Sequence, residues 1–381
     1  MKKQILTAIT AFSFAFVFGQ QTIQDSIFHD GGYRTYTAYI PASYQAGTDV
    51  PLVFNLHGYT SNMGQQMFYG NMRPQSDASG FILVYPQGLK DGNDITHWNA
   101  GWGTGVDDLG FISNLIDSLA SDYSINENRV YSCGMSNGGF MSYYLACQLS
   151  DKIAAVASVT GAMYVGFGNT CTSTEAVPVL EIHGTADPTV PYNGTATQSS
   201  IEDIIDFWVA KNNCTTTPIM TNVPNTDTGD GCTTEHFLYE DGTDGSTVEL
   251  FKVIGGEHTW PGSELTIGVT SQDFNASQEI WRFFSQFDLN GALSINEVTD
   301  ESQLSFSMAP NPTNEHTTIS FNNAVQEEIQ IDLIDIDGRL MNRTKTSNSS
   351  VVLNTEGLSN GSYIVRVSTL SSSIQSILIK K

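Results

Sequence analysis

A serine between glycines, an aspartate and a histidine follow one another in an order that could support covalent chemistry on a carbonyl carbon. Gly134-Met135-Ser136-Asn137-Gly138 has the spacing GxSxG, with RVYSC running into it as a strand and GGFMSYYLACQL leaving it as an amphipathic helix. That strand–turn–helix context presents a serine at the C-terminal edge of a sheet. A serine hydroxyl is a weak nucleophile until a base takes its proton, and the base needs a third group to orient it. Asp187 in VPVLEIHGTADPTVPY and His258 in LFKVIGGEHTWPG each fall just past a candidate strand. Of the histidines at 29, 57, 97, 183, 236, 258 and 316, His258 combines the position after Asp187 with a glycine-rich turn behind a late strand. His183 precedes Asp187 and is read as bonding to the turn. Glu257 or Asp206 could replace Asp187 in principle, but neither sits on a post-strand turn.

A tetrahedral oxyanion needs two backbone N–H donors. Asn137, directly after the serine, is expected to supply one, and Tyr59 in LHGYTSN the other. Tyr59, Trp98, Trp102, Tyr192 and Trp260 lie on loops near these segments. Trp98, Trp102, Tyr192 and Trp260 are therefore taken as substrate-binding candidates that could stack on an aromatic acyl group. The paired carboxylates Asp107-Asp108 open a helix and are read as caps rather than as a metal or acid/base pair. No metal or other cofactor is expected.

Short apolar runs alternating with helix-length amphipathic stretches between residues 33 and 287 predict an α/β sheet protein. Strands are expected at 35–40, 52–57, 81–85, 129–133, 153–159, 179–183 and 248–254, and helices at 108–121, 138–148, 201–211 and 277–287. Runs such as FILVY and IAAVASV are continuous rather than alternating, so the sheet should be mostly parallel with helices on both faces. Residues 289–303 read as a linker, the partial match of 288–297 to a calcium loop being rejected because its Gly and Glu fall at the wrong positions. Alternating strands at 317–321, 329–336, 350–354 and 362–369 then predict a small all-β sandwich over 304–381, with Asp337-Gly338 and Asn360-Gly361 as turns.

The chain has 381 residues and a formal net charge of −24, with 20 Phe, 15 Tyr and 5 Trp. Its acidity excludes a nucleic-acid partner, which would require clustered Lys and Arg. After Leu304 six basic residues meet seven acidic ones, so the negative excess belongs to the earlier part. Lys2, Lys3 and the apolar run 5–18 read as a secretory signal over 1–19, cut after Gly19, and no later segment is long enough to span a membrane. An exported chain meets oxidising conditions. Cys147 with Cys171 and Cys214 with Cys232 are the sequence-local pairings, leaving Cys133 as a buried thiol, although spacing by itself leaves the connectivity open.

The tail resembles the type A sorting domain used by the type IX secretion system. The likeness rests on Ala309-Pro310-Asn311-Pro312-Thr313, IDIDGRLM, LSNGSYIVRV and the terminal Lys380-Lys381. Residues 31–287 resemble the secreted polyhydroxybutyrate depolymerase-like and feruloyl esterase-like α/β hydrolases. They carry RTYTAYIPASY, PLVFNLHG, WGTGVDDLGFI, RVYSCGMSNGGFMSYYLAC, AAVASVTG, VPVLEIHGTADPTVPYNG and GGEHTWPG in that family's order.

The resemblance implies an α/β-hydrolase catalytic domain over 20–288 and carboxylic ester hydrolysis through an acyl-enzyme, with Ser136, Asp187 and His258 as triad. It also lends support to both cysteine pairings. The expected substrates are feruloyl or acetyl esters on plant polysaccharide, with a polyester such as polyhydroxybutyrate as the alternative and a silent binding protein on the same scaffold as the reading of another class. The expected partners are an ester substrate, polymeric or small, and the type IX secretion machinery, and the expected location is outside the cell or on its surface.

Overall fold

The computed structural model describes residues 19–103, 105–293, 306–321, 329–335, 339–368 and 373–381. The secretory signal expected over 1–19 lies, except for Gly19, outside the described residues, as does 294–303 of the expected linker. The chain divides into two compact units, Met1–Leu293 and Ser294–Lys381.

The larger unit begins with β1 (Gln21–His29) and β2 (Gly32–Ile40), followed by β3 (Val50–Leu56), α1 (Met63–Tyr69), α2 (Arg73–Ser79) and β4 (Ile82–Pro86). Next come α3 (Asp108–Asp122), β5 (Ile125–Met135), α4 (Asn137–Gln148), β6 (Ala155–Val159), β7 (Val179–Gly184) and α5 (Ile201–Lys211). The unit closes with β8 (Ile219–Asn222), β9 (Thr233–Tyr239), β10 (Val248–Ile254), α6 (Ala276–Phe284) and the short pair β11 (Phe287–Asp288) and β12 (Gly291–Ala292).

Ten strands form one sheet in the order β1-β2-β4-β3-β5-β6-β7-β10-β9-β8. Its centre, from β4 to β10, is parallel. Antiparallel strands extend it at both ends. The continuous apolar runs have the expected cause. In β4, Ile82 and Val84 join the core on one face while Leu83 and Tyr85 join the core on the other. Side chains of α3, α4 and α5, among them Phe111, Leu115, Met141, Ile204 and Trp208, fill the first core. Ile280, Phe283 and Phe284 of α6 fill the second, with α1 packed beside them. This is an α/β-hydrolase fold.

Several elements were not foreseen. β1 pairs with β2 through a turn in which Asp30 and Gly31 both have positive φ, 49° and 80°. This is the backbone that an Asp-Gly pair favours in a two-residue hairpin. Helix α1 is capped by Asn62, whose Oδ1 accepts the N–H groups of Gly64 and Gln65 at 3.1 and 3.0 Å. The stretch read as linker from 289 begins instead as folded chain. β11 and β12 pair, and Leu289 packs on the second core while its N–H bonds to the Asn128 carbonyl.

The smaller unit contains β13 (Phe306–Ala309), β14 (His316–Phe321), β15 (Ile329–Asp335), β16 (Leu340–Thr346), β17 (Ser350–Asn354), β18 (Gly361–Ser368) and β19 (Ser373–Lys380). They form two antiparallel sheets, β13-β14-β17 and β16-β15-β18-β19. Ile319, Phe321 and Leu353 from one sheet share a core with Ile331, Leu333 and Val365 from the other. The turn expected at Asn360-Gly361 closes no hairpin, because β17 and β18 belong to different sheets. Asp337-Gly338 lies outside the described residues. No described helix is long and apolar enough to cross a membrane.

Candidate active site

β5 delivers Ser136 to a sharp turn. Its backbone has φ 54° and ψ −119°, a conformation an L side chain rarely adopts. The turn is held from both sides: the Ser136 N–H bonds to the Val159 carbonyl on β6, and the Ser136 carbonyl accepts the first bond of α4 from Phe140. Glycines are required at the flanks. A Cβ on Gly138 would sit 2.2 Å from the Leu56 carbonyl oxygen, and one on Gly134 2.6 Å from the Gly138 backbone. The turn closes only because strand and helix touch backbone to backbone.

Asp187 and His258 follow β7 and β10. His258 Nδ1 lies 2.7 Å from Asp187 Oδ2, and the other carboxylate oxygen accepts the N–H groups of Thr189 and Val190 at 2.7 and 2.8 Å. Burial would raise the Asp187 carboxyl, but hydrogen bonds from His183 and His258, the charge of His258 and the Val190 N–H outweigh it and hold the group well below the usual carboxylate range. Ser136, His258, Gly58 and Tyr59 line one cavity of about 820 Å³. Its remaining wall is largely hydrocarbon, from Phe68, Tyr69, Met135, Leu265 and Ile267.

The Tyr59 segment is positioned by His57. Burial pushes that imidazole down to about 4, so it is neutral at pH 7. Its Nε2 accepts the Gly88 N–H at 3.0 Å and its Nδ1 donates to the Gly58 carbonyl at 2.8 Å. A Cβ on Gly58 would lie 3.4 Å from the Ser136 Cβ, which places this backbone against the serine. Asn137 holds the same region from the other side, its side-chain amide bonding to both the N–H and the carbonyl of Trp98 at 2.7 and 3.0 Å.

The aromatic candidates divide. Trp98 is fully buried and donates its Nε1–H to the His57 carbonyl at 3.0 Å, so it braces the loop from within. Tyr192 is also buried, its hydroxyl bonded to Glu202 at 2.7 Å. Trp260 is buried too, with Nε1 on Ser277 Oγ at 3.2 Å, and it walls a separate cavity of about 250 Å³. Trp102 is exposed but packs edge-on against Phe140 and lies outside the lining of the larger cavity. None of these four lines that cavity, whereas Phe68, Leu265 and Ile267, which sequence reasoning missed, do. Position near a motif does not say which way a loop side chain points.

Asp107 caps α3 by accepting the Gly110 N–H at 2.8 Å. Asp108, by contrast, is buried in an ion pair with Arg34. Cys147 and Cys171 form a disulfide. Cys214 and Cys232 do not: both are free thiols, in cores on opposite faces of the sheet. Cys133 is a buried thiol. Among the described residues no cluster of His, Cys, Asp and Glu is suited to a metal ion.

Residues 34–201 match the family model described as esterase PHB depolymerase, and residues 307–381 match the secretion system C-terminal sorting domain. A bifunctional acetylxylan esterase/xylanase of Neocallimastix patriciarum is 26% identical over 279 residues, 72% of this chain and 36% of that protein. The chain thus spans little more than a third of that relative. A probable feruloyl esterase C of Aspergillus niger is 27% identical, covering 60% of this chain and 82% of its own. Feruloyl esterase D of Neurospora crassa is 28% identical, covering 70% and 86%. Among solved structures, an acetyl xylan esterase from Aspergillus awamori superposes with a TM-score of 0.49 at 15% identity, over 70% of this chain and 99% of that one.

Proposed function

Taking the larger unit as an α/β-hydrolase of the esterase PHB depolymerase type, followed in sequence by a secretion system sorting domain, we propose that the protein is an exported serine carboxylic ester hydrolase acting on feruloyl or acetyl esters of plant polysaccharide. One observation carries the reading: Ser136 shares a cavity with a His258 whose far nitrogen is held by Asp187. The carboxylate fixes the proton on Nδ1 and leaves Nε2 to act as base.

His258 Nε2 takes the Ser136 proton as Oγ attacks the ester carbonyl. The backbone N–H groups of Tyr59 and Asn137 receive the oxyanion. Collapse expels the alcohol, which leaves with the proton from His258. Water then attacks the acyl-serine by the same route, giving the carboxylic acid and free enzyme. The feruloyl and acetylxylan esterases among the relatives support the substrate class, and the cavity walls of Phe68, Leu265 and Ile267 suit an apolar acyl group. The sorting domain supports delivery to the cell surface or beyond.

The purified protein assayed on methyl ferulate, acetylated xylan and a hydroxybutyrate oligomer tests this. The expected ranking puts the first two above the third. Preference for the oligomer would make the protein a polyester depolymerase, and a folded protein inert on all three would make it a binding protein.

A further inference from the structure

His183 lies on β7 two residues after Glu181, on the same face, and both side chains are fully buried. His183 Nδ1 is 2.7 Å from Glu181 Oε1, and its Nε2 is 2.8 Å from the Val190 carbonyl oxygen and 3.4 Å from Asp187 Oδ2. A carbonyl oxygen can only accept, so Nε2 carries a hydrogen. The opposite nitrogen faces the Glu181 carboxyl, which burial raises above the usual carboxylate range against the opposing bonds from His183 and Tyr143, and whose second oxygen accepts the Tyr143 hydroxyl at 2.6 Å. With Glu181 ionised and His183 carrying the shared proton, both ring nitrogens donate and the ring is an imidazolium between two acids.

We infer that Glu181 and His183 form a positioning pair behind the triad: Glu181 keeps His183 charged, and His183 anchors the Asp187–Val190 turn while offsetting the Asp187 charge felt at His258. The inference rests on the reading of Asp187 and His258 as triad members. His183 touches neither Ser136 nor the cavity, so it acts through Asp187. Burial works against its charge, yet the bonds to Asp187 and Glu181 raise it to about 9.

The surroundings supply few competing charges. Tyr143 of α4 faces Glu181, and the Tyr192 ring stands edge-on to His183 at 6.0 Å, with Lys252 over its face and Glu202 on its hydroxyl. Around His258, Asp187 is the bonded acid, while Glu257 next to it is turned to the Val269 N–H. A positive His183 beside Asp187 partly cancels the carboxylate's charge where His258 meets it.

The test is the acidic limb of kcat/KM on a soluble acetyl or feruloyl ester. In Glu181→Gln and His183→Gln the midpoint of that limb is expected to rise by about half to one pH unit, with KM little changed. Melting temperature and turnover falling while the limb stays in place, or a limb that moves to lower pH, would overturn the inference. Imidazole 15N shifts of the wild-type protein provide a second reading that needs no variant. His183 protonated on both nitrogens at pH 7.5 supports the pair, and a neutral His183 there refutes it. Ser136→Ala, assayed in parallel, separates the two levels, because activity surviving in that variant would sink the triad and not merely the pair.

Discussion

His258 Nδ1 stands 2.7 Å from Asp187 Oδ2, a contact across 71 residues of sequence, and the other oxygen of the same carboxylate is bound by the Thr189 and Val190 N–H groups. The Asp187 carboxylate cannot swing away from His258 without losing both backbone bonds. Asp187→Asn would present an amide in either of two orientations, one of which turns an N–H toward Nδ1 and forces the wrong tautomer. A loss of about 10³- to 10⁴-fold in kcat is expected, with KM nearly unchanged. Steady-state kinetics on a soluble ester reads both.

Ser136→Ala removes the proposed nucleophile and little packing, because the backbone of the turn is held by Val159 and Phe140. Turnover should drop by at least about 10³-fold while the melting temperature stays within a degree or two. Activity within tenfold of the parent would exclude Ser136 as nucleophile.

The Cys147–Cys171 bridge closes 24 residues, from the last turn of α4 to the loop ahead of β7. Closing such a loop in the unfolded chain contributes about 3 kcal/mol. Cys147→Ser should therefore lower the melting temperature by several degrees, and far more than Cys133→Ser does. Thiol titration of the denatured, unreduced protein should count three thiols, those of Cys133, Cys214 and Cys232. A count of one would mean that the second bridge forms after all.

The raised His183 has a consequence for stability. Its folded value near 9 exceeds the unfolded value of 6.5, so the folded protein holds an extra proton between them. The stabilisation is fully present below about pH 6.5 and is lost as the pH climbs through about 9. Urea midpoints taken at pH 6 and pH 9.5 should fall in the parent and fall less in His183→Gln. Equal slopes in the two proteins would refute the assignment of that proton to His183.

Much of the architecture was legible in the chain because both cores write themselves into the strands: FILVY is continuous since alternate side chains enter different cores. The placement of Ser136, Asp187 and His258 just past β5, β7 and β10 was legible because apolar runs mark those strands. β1 was missed because QTIQDSIFH carries few apolar residues at a sheet edge, although Asp30-Gly31 marked its turn. The aromatic assignments at Trp98, Tyr192 and Trp260 went wrong for a different reason. Proximity to a motif is linear information, whereas inside and outside are decided by packing. Cys214 and Cys232 show the same limit, since 18 residues of separation cannot tell which face of the sheet each thiol reaches. The role of His183 needed the turn at Val190 to be seen in three dimensions.

Ser136, Asp187 and His258 are mounted at the ends of β5, β7 and β10, none of which is an outermost strand of the ten-stranded sheet. The outermost strands, β1 and β8, can open transiently without disturbing them, so the slowest-exchanging amides should be those of β5, β6 and β7. The site is lost only when the middle of the sheet is lost. Heat inactivation and the collapse of secondary structure in this unit should then share one midpoint, which turns residual activity after heating into a direct gauge of the fraction of molecules still folded.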